Sequence, residues 1–275
     1  MFSGRYINLS DPRTYQVSIL ACLLAYGVLV LRFDVHTRYI LYLPVMAILV
    51  QWLCTRLWQL PHFDPKSALI SSLSLCLLIR TDRLDLALIA IAITIASKFI
   101  IRIQNKHVFN PTNFGLAVMM LLSDEVWVSP GQWGSLAFSA FLFAGLGGLV
   151  VYRAARSDVT YAFLLAYTAM IFLRALWLGD PLSIPLHQIQ NGAFLLFGFF
   201  MISDPRTTPN HRVGRILYAI GVALVAGWIQ FSLFKPNALI WALICCAPLV
   251  PVIDRIFTGT AYRWPVSLSS QRSHS

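Results

Sequence analysis

The stretch that decides the fold runs from Asn191 to Asp254. It reads N-G-A-F-L-L-F-G-F-F-M-I-S-D-P-R-T-T-P from Asn191 to Pro209, continues through a long apolar span (Val213–Phe234), and ends K-P-N-A-L-I-W-A-L-I-C-C-A-P-L-V-P-V-I-D (Lys235–Asp254). A helix needs about 20 apolar residues to cross a bilayer. Gly192–Ser203 and Asn237–Val250 are shorter, and each abuts a Pro-marked polar break. Short, interrupted apolar segments in matching places of two halves point to a binding site within a membrane.

A second stretch follows the same plan. Asp64–Leu121 holds a short apolar segment ending at Thr81-Asp82, a full span, the break Phe109-Asn110-Pro111 and another short segment. Asp82 and Pro111 are 29 positions apart, and Asp204 and Pro236 are 32 apart. The near-equal spacing reads as an internal repeat.

Working outward, the apolar segments are Gln16–Leu31, Tyr39–Leu57, short Ser67–Ile79, Leu84–Ile103 and short Phe114–Leu122. After a loop come Trp133–Tyr152, Val159–Leu178, short Gly192–Ser203, Val213–Phe234 and short Asn237–Ile253. The expected fold is an all-α integral membrane protein of about ten transmembrane or half-spanning helices, arranged as two inverted five-helix repeats. Residues 1–15 form an interfacial lead-in, 16–123 the first repeat, 131–254 the second, and 258–275 a polar, Ser-rich disordered tail.

Composition agrees with this reading: 58% of the 275 residues are hydrophobic and 12% charged, which excludes a soluble domain. The net charge of +10 belongs to loops beside the spans and not to a nucleic-acid interface. Fourteen Lys and Arg fall on one side of the ten crossings and six on the other, which places both termini in the cytoplasm. No cleavable signal is legible, so the first span serves to target the chain. The five cysteines lie in apolar segments without a C-x-x-C, and no His spacing suits a metal, so no metal site is expected.

The candidate binding residues punctuate the short segments. Arg206 offers a fork suited to phosphate, beside Asp204 and the hydroxyls of Thr207 and Thr208. Asn110, Pro111 and Asn113 open the other short segment, where amides and a helix N-terminus suit a polar ring or an anion. The same residues also suit helix capping. Asp254 reads as an interfacial counter-ion to Arg255; Lys98 and Arg174 lie inside apolar runs, where a charge is a functional candidate by default, and both also suit cations that snorkel to the interface. No catalytic residue is assigned.

At these motifs the chain resembles two related membrane proteins, the NqrB component of the sodium-pumping NADH:quinone reductase and the RnfD component of the Rnf electron-transport complex. The resemblance rests on G-A-F-L-L-F-G-F-F-M-I-S-D-P-R-T-T-P, Gly214-Arg215, the Asn237-Ala238 region, A-P-L-V-P-V-I-D and F-N-P-T-N-F-G. It implies a ten-helix inverted repeat related to urea and ammonium channel folds, and membrane electron transfer through flavin. Those proteins attach FMN to Thr in an S-G-A-T-like motif. Here the loop between the halves is S-D-E-V-W-V-S-P-G-Q-W, without Thr, and S-G-A-T occurs nowhere in the chain. In this the chain is similar to the shorter RnfD-like proteins of the UnbU type.

The expected function is a multi-pass subunit of the bacterial inner membrane that binds flavin (FMN or riboflavin) or quinone non-covalently and passes electrons to a redox partner protein or other membrane subunits. The alternative is a channel or carrier for a small polar solute, using the same broken helices as its filter.

Overall fold

The computed structural model describes residues 11–33, 35–104, 106–128 and 156–262. The expected span Trp133–Tyr152 lies outside the described residues, as do residues 1–10 of the lead-in and 263–275 of the tail.

Helix α1 (Pro12–Leu29) begins inside the stretch read as an interfacial lead-in. Asp11 sets that start: its side chain accepts from the Arg13 amide at 3.0 Å, and Pro12 fills the first turn, where its missing N–H costs nothing. Helix α3 (Pro65–Leu78) starts in the same way behind Asp64. Arg13 pairs with both capping carboxylates, and the Lys66 ammonium lies 2.9 Å from Asp11. The N-termini of α1 and α3 are thereby held side by side.

Helix α2 (Thr37–Leu57) packs on α3 and on α4 (Leu84–Ile100), and α4 packs on α5 (Pro111–Leu122). In the second half α6 (Ser157–Leu178) packs on α9 (Arg212–Phe231), and α9 on α10 (Ala238–Cys246). The two groups meet where α5 touches α10.

Between α6 and α9 lies α8 (Gly192–Leu196), which continues as a π-helical turn over Phe197–Met201. It is preceded by α7 (Ser183–Ile189), a short helix that no apolar run marks in advance. Among the described residues two short antiparallel pairs interrupt the helices: β1 (Ile79–Arg80) with β4 (Trp127–Val128), and β2 (Arg102–Ile103) with β3 (Lys106–His107).

Among the described residues four helices are long and apolar enough to cross a membrane: Thr37–Leu57, Ser157–Leu178, Arg212–Phe231 and Ala238–Ile256. Their outer faces are apolar as well; Leu165 is 70% and Trp177 85% exposed. This inside-out pattern belongs to a multi-pass membrane protein, since a water-facing surface does not carry continuous apolar faces of this length.

The last of these four corrects an expectation. Asn237–Ile253 is expected to be a short segment closed after Pro251. Instead the chain passes from α10 through a 3₁₀ turn (Ala247–Leu249) into α11 (Val250–Ile256), giving 19 continuous helical residues. Pro248 and Pro251 each occupy a first-turn position of their element, where no N–H is required, so neither ends the run.

Arg80 is buried at the end of α3. It is 5% exposed, and its guanidinium donates to the Cys76 and Leu77 carbonyls at 3.3 Å, closing the C-terminus of α3.

Candidate functional site

The polar breaks of the two halves meet around one cavity of about 270 Å³. One wall is the start of α5. Asn110 caps that helix, its side-chain oxygen accepting from the Asn113 amide at 3.1 Å, so the capping role read from the sequence is present. Its amide nitrogen, however, crosses to the other half and donates to the Met201 carbonyl at 3.2 Å, with the Asp204 carboxylate at 3.5 Å. The same residue therefore closes one helix and joins two breaks that are 91 positions apart.

The facing wall follows the π-helical turn. Such turns leave backbone groups displaced from regular pairing and occur at sites where a helix must open. Here the chain leaves the helix at Met201 and turns tightly around Asp204. The Asp204 side chain accepts from the Arg206 amide at 2.9 Å, and its carbonyl accepts from the Thr207 and Thr208 amides at 3.1 Å. This turn aims Arg206 at the cavity.

Of the seven residues singled out from the sequence, Asn110, Pro111, Asp204 and Arg206 line the cavity. The other three face elsewhere. Asn113 donates to the Ile240 carbonyl at 3.1 Å and so fastens α5 to α10. The Thr207 hydroxyl bonds within the Asp204 turn, and the Thr208 hydroxyl accepts from Arg156 at 3.0 Å. These are packing and turn contacts.

The remaining lining comes from elements that looked like ordinary spans. Lys98 is the clearest correction. It was expected to snorkel to the interface, but it is 4% exposed and donates to the Ser67 carbonyl at 2.8 Å and hydroxyl at 3.1 Å. The start of α3 supplies its acceptors. Arg174, by contrast, stays half-exposed over the Phe231 ring, 4.3 Å from its centroid, with Asp180 at 3.8 Å.

Gln51 of α2 is 7% exposed, and its side-chain oxygen has no hydrogen-bond partner among the described residues. Its signal in the sequence was a lone amide in the apolar run M-A-I-L-V-Q-W-L-C. Arg102 and His107 enter from the β2–β3 hairpin. Burial, and then the Arg206, Lys98 and Arg102 cations, push His107 down to about 3, so its ring is neutral.

A second cavity of similar size, about 270 Å³, is bordered by the start of α10 (Pro236–Ala238), the start of α8 and the end of α3. It is mostly apolar. Its polar contacts include the Tyr167 hydroxyl bonded to Gln230, and Gln188, whose buried oxygen is unpartnered among the described residues.

Three relatives each match a little under half of the chain. All are named as the D-type subunit of an ion-translocating oxidoreductase complex. The protein of Stutzerimonas stutzeri is 31% identical over 135 residues, which is 47% of this chain and 37% of the relative. That of Psychromonas ingrahamii is 32% identical over 133 residues, 48% of this chain and 38% of the relative. That of Alcanivorax borkumensis is 31% identical over 127 residues, 45% of this chain and 35% of the relative. The matches thus span little more than a third of each relative's length.

A family model covers residues 117–263, from within α5 through the Asp204 turn to beyond α11. Asn110 and Lys98 fall outside that span, so their place at the cavity rests on the geometry alone. The matched span is more than half of the chain, and the chain belongs to the NQR2, RnfD, RnfE family.

Proposed function

We propose that the protein is a membrane subunit of an ion-translocating electron-transfer complex, and that the cavity between the two breaks holds a redox-active ring, a flavin or a quinone, without a covalent bond. The observation that carries this is the contact of Asn110 with Met201 and Asp204. Plain helix caps would satisfy their own helices and need not meet across halves. The relatives' names support the class of complex. When bound, such a ring supplies the electron transfer itself. The chain's part is to bind it and orient it, with Gln51 and Asn110 as amides and Lys98, Arg102 and Arg206 as cations. The unpartnered Gln51 oxygen fits a ring that brings an N–H or O–H donor.

The non-covalent mode follows from the missing Thr between the halves. Protein purified in mild detergent should show flavin absorbance, and acid precipitation should release all of it to the supernatant. Flavin fluorescence remaining with the denatured chain would overturn the non-covalent reading. Colourless protein that fails to take up flavin or quinone would favour the carrier for a small solute.

The two halves, 16–123 and 131–254, form an inverted pair in this reading. The order of packing supports it: α2 on α4 and α4 on α5 are matched by α6 on α9 and α9 on α10. Both termini are then cytoplasmic in a bacterial inner membrane, with the Asp82 loop outside. Reporter fusions after Asp82 and after Asn210 should give opposite signals, and equal signals would retire the inversion.

A further inference from the structure

The two cavities lie back to back. The first takes in the start of α3, through Ser67 and Ser71, and the end of the π-helical turn, through Phe200 and Met201. The second takes in the other end of α3, at Leu78, and the start of α8, at Ala193 and Phe194. Helix α3 and the α8 segment thus run between the cavities in opposite senses, with a cavity at each end. The start of α5 borders the first cavity and the start of α10 the second. Among the described residues Met201 alone lines both.

The wall between them is apolar. Phe197 lines the second cavity, Phe200 the first and Met201 both, and all three are buried. They belong to the π-helical turn, a geometry that recurs at functional sites. Methionine suits a plug here, because its unbranched, flexible side chain fills irregular gaps. A second observation comes from α5. Asn113 is 1% exposed, and its amide ties the helix start on the first cavity to Ile240 on the second. Its side-chain oxygen is buried without a partner among the described residues. An unpaired acceptor beside a dry wall is where water settles first once the wall loses volume.

We infer that Met201 is the septum between two half-pathways that enter the protein from opposite sides, and that its side-chain volume decides whether small neutral solutes cross. Hydrophobic constrictions stop water and solutes by dewetting. The septum requires only that the chain crosses a membrane, and it holds whether or not a ring fills the first cavity. In a subunit that carries electrons, such a wall holds back water and solutes without the bulk of a longer barrier.

The test uses the full chain in vesicles of phosphatidylethanolamine and phosphatidylglycerol, with urea as the probe, read by light scattering after an osmotic step. Vesicles with the unaltered chain should admit urea no faster than protein-free vesicles. Met201→Ala removes the γ, δ and ε atoms and should raise urea entry at least about tenfold, equivalent to about 1.4 kcal/mol off the barrier to crossing. Met201→Val, a milder truncation, should give a smaller rise in the same direction, so a misfolded alanine variant does not end the experiment. Met201→Leu, close in volume, should stay as tight as the unaltered chain. Sucrose, too large for the opened wall, should be excluded in every case.

Rapid urea entry with the unaltered chain overturns the septum and favours the carrier for a small solute. Folded Met201→Ala or Met201→Val protein as tight as the unaltered chain also overturns it, and leaves the proposed function standing. A rise with Met201→Leu equal to that with Met201→Ala, or sucrose entry alongside urea, marks a general loosening and overturns the septum as well.

Discussion

Gly115→Leu should leave no folded protein in detergent extracts, and Gly115→Ala should fold with a loss of about 1–3 kcal/mol, the usual cost of overpacking. Gly115 sits on the buried face of α5 where it crosses α4. A β-carbon there would fall inside the van der Waals radius of the Thr94 hydroxyl and 3.2 Å from the Ala90 carbonyl oxygen. Neither neighbour yields easily: one is a stiff, β-branched side chain and the other is helix backbone. Thr94 is 0% exposed, and its hydroxyl has no hydrogen-bond partner among the described residues. Removing that hydroxyl is therefore cheap, and Thr94→Ala should offset much of the loss in Gly115→Ala. The double variant should recover at least half of the single variant's drop in melting temperature, a coupling expected only of residues in contact. Normal accumulation of Gly115→Leu, or purely additive effects in the pair, would show that α4 and α5 do not cross at this point. The crossing matters because Lys98 lies one turn beyond Thr94, and Asn110 caps the helix that carries Gly115.

The elements that could be read in advance were those whose own residues mark their ends. Pro65 and Pro111 open α3 and α5 behind capping Asp64 and Asn110, a few residues before the apolar segments Ser67–Ile79 and Phe114–Leu122 begin. Pro251 misled for the same reason. A proline in a sequence reads as a stop, yet in a first-turn position it ends nothing. The cavity was half legible. Asp204, Arg206, Asn110 and Pro111 interrupt apolar runs and so stood out. Gln51 and Lys98 lie inside runs that read as ordinary spans, and their role depends on the neighbour that folding brings to them. Lys98 finds Ser67, 31 positions away, and no local pattern announces that pairing. Thr207 and Thr208 show the converse. Their position in a break made them candidates, but a tight turn around Asp204 directs their hydroxyls to backbone and to Arg156.

Asp254 gives the other large expected effect, and its reading as a counter-ion to Arg255 is also corrected by a distant partner. Its carboxylate takes the Lys106 ammonium at 2.9 Å and the Asn210 amide at 2.7 Å, and Lys106 reaches the Asn210 side chain at 3.2 Å. The β2–β3 hairpin, the Asp204–His211 loop and α11 are thus fastened at one point. Both charged side chains are largely buried, at 18% and 11% exposure for Lys106 and Asp254. Burial pushes the Lys106 ammonium below its ordinary range, and Asp254 pulls it back. Asp254→Ala strands that cation and a backbone N–H together, so we expect a loss of about 3–5 kcal/mol, the range for breaking one side of a buried pair. Lys106→Met should cost less, about 1–3 kcal/mol, because the carboxylate keeps the Asn210 amide and the methionine keeps the packing of the stem. The order of the two variants is the discriminating result, measured by thermal unfolding of each in one detergent. A surface pair would give two small and similar losses, and Lys106→Met equal to or worse than Asp254→Ala would mean that the loop is held by something other than this carboxylate. Because Arg206 lies on the same loop, Asp254→Ala protein that remains folded should also bind flavin more weakly, whereas Lys106→Met should bind it nearly as well as the unaltered chain.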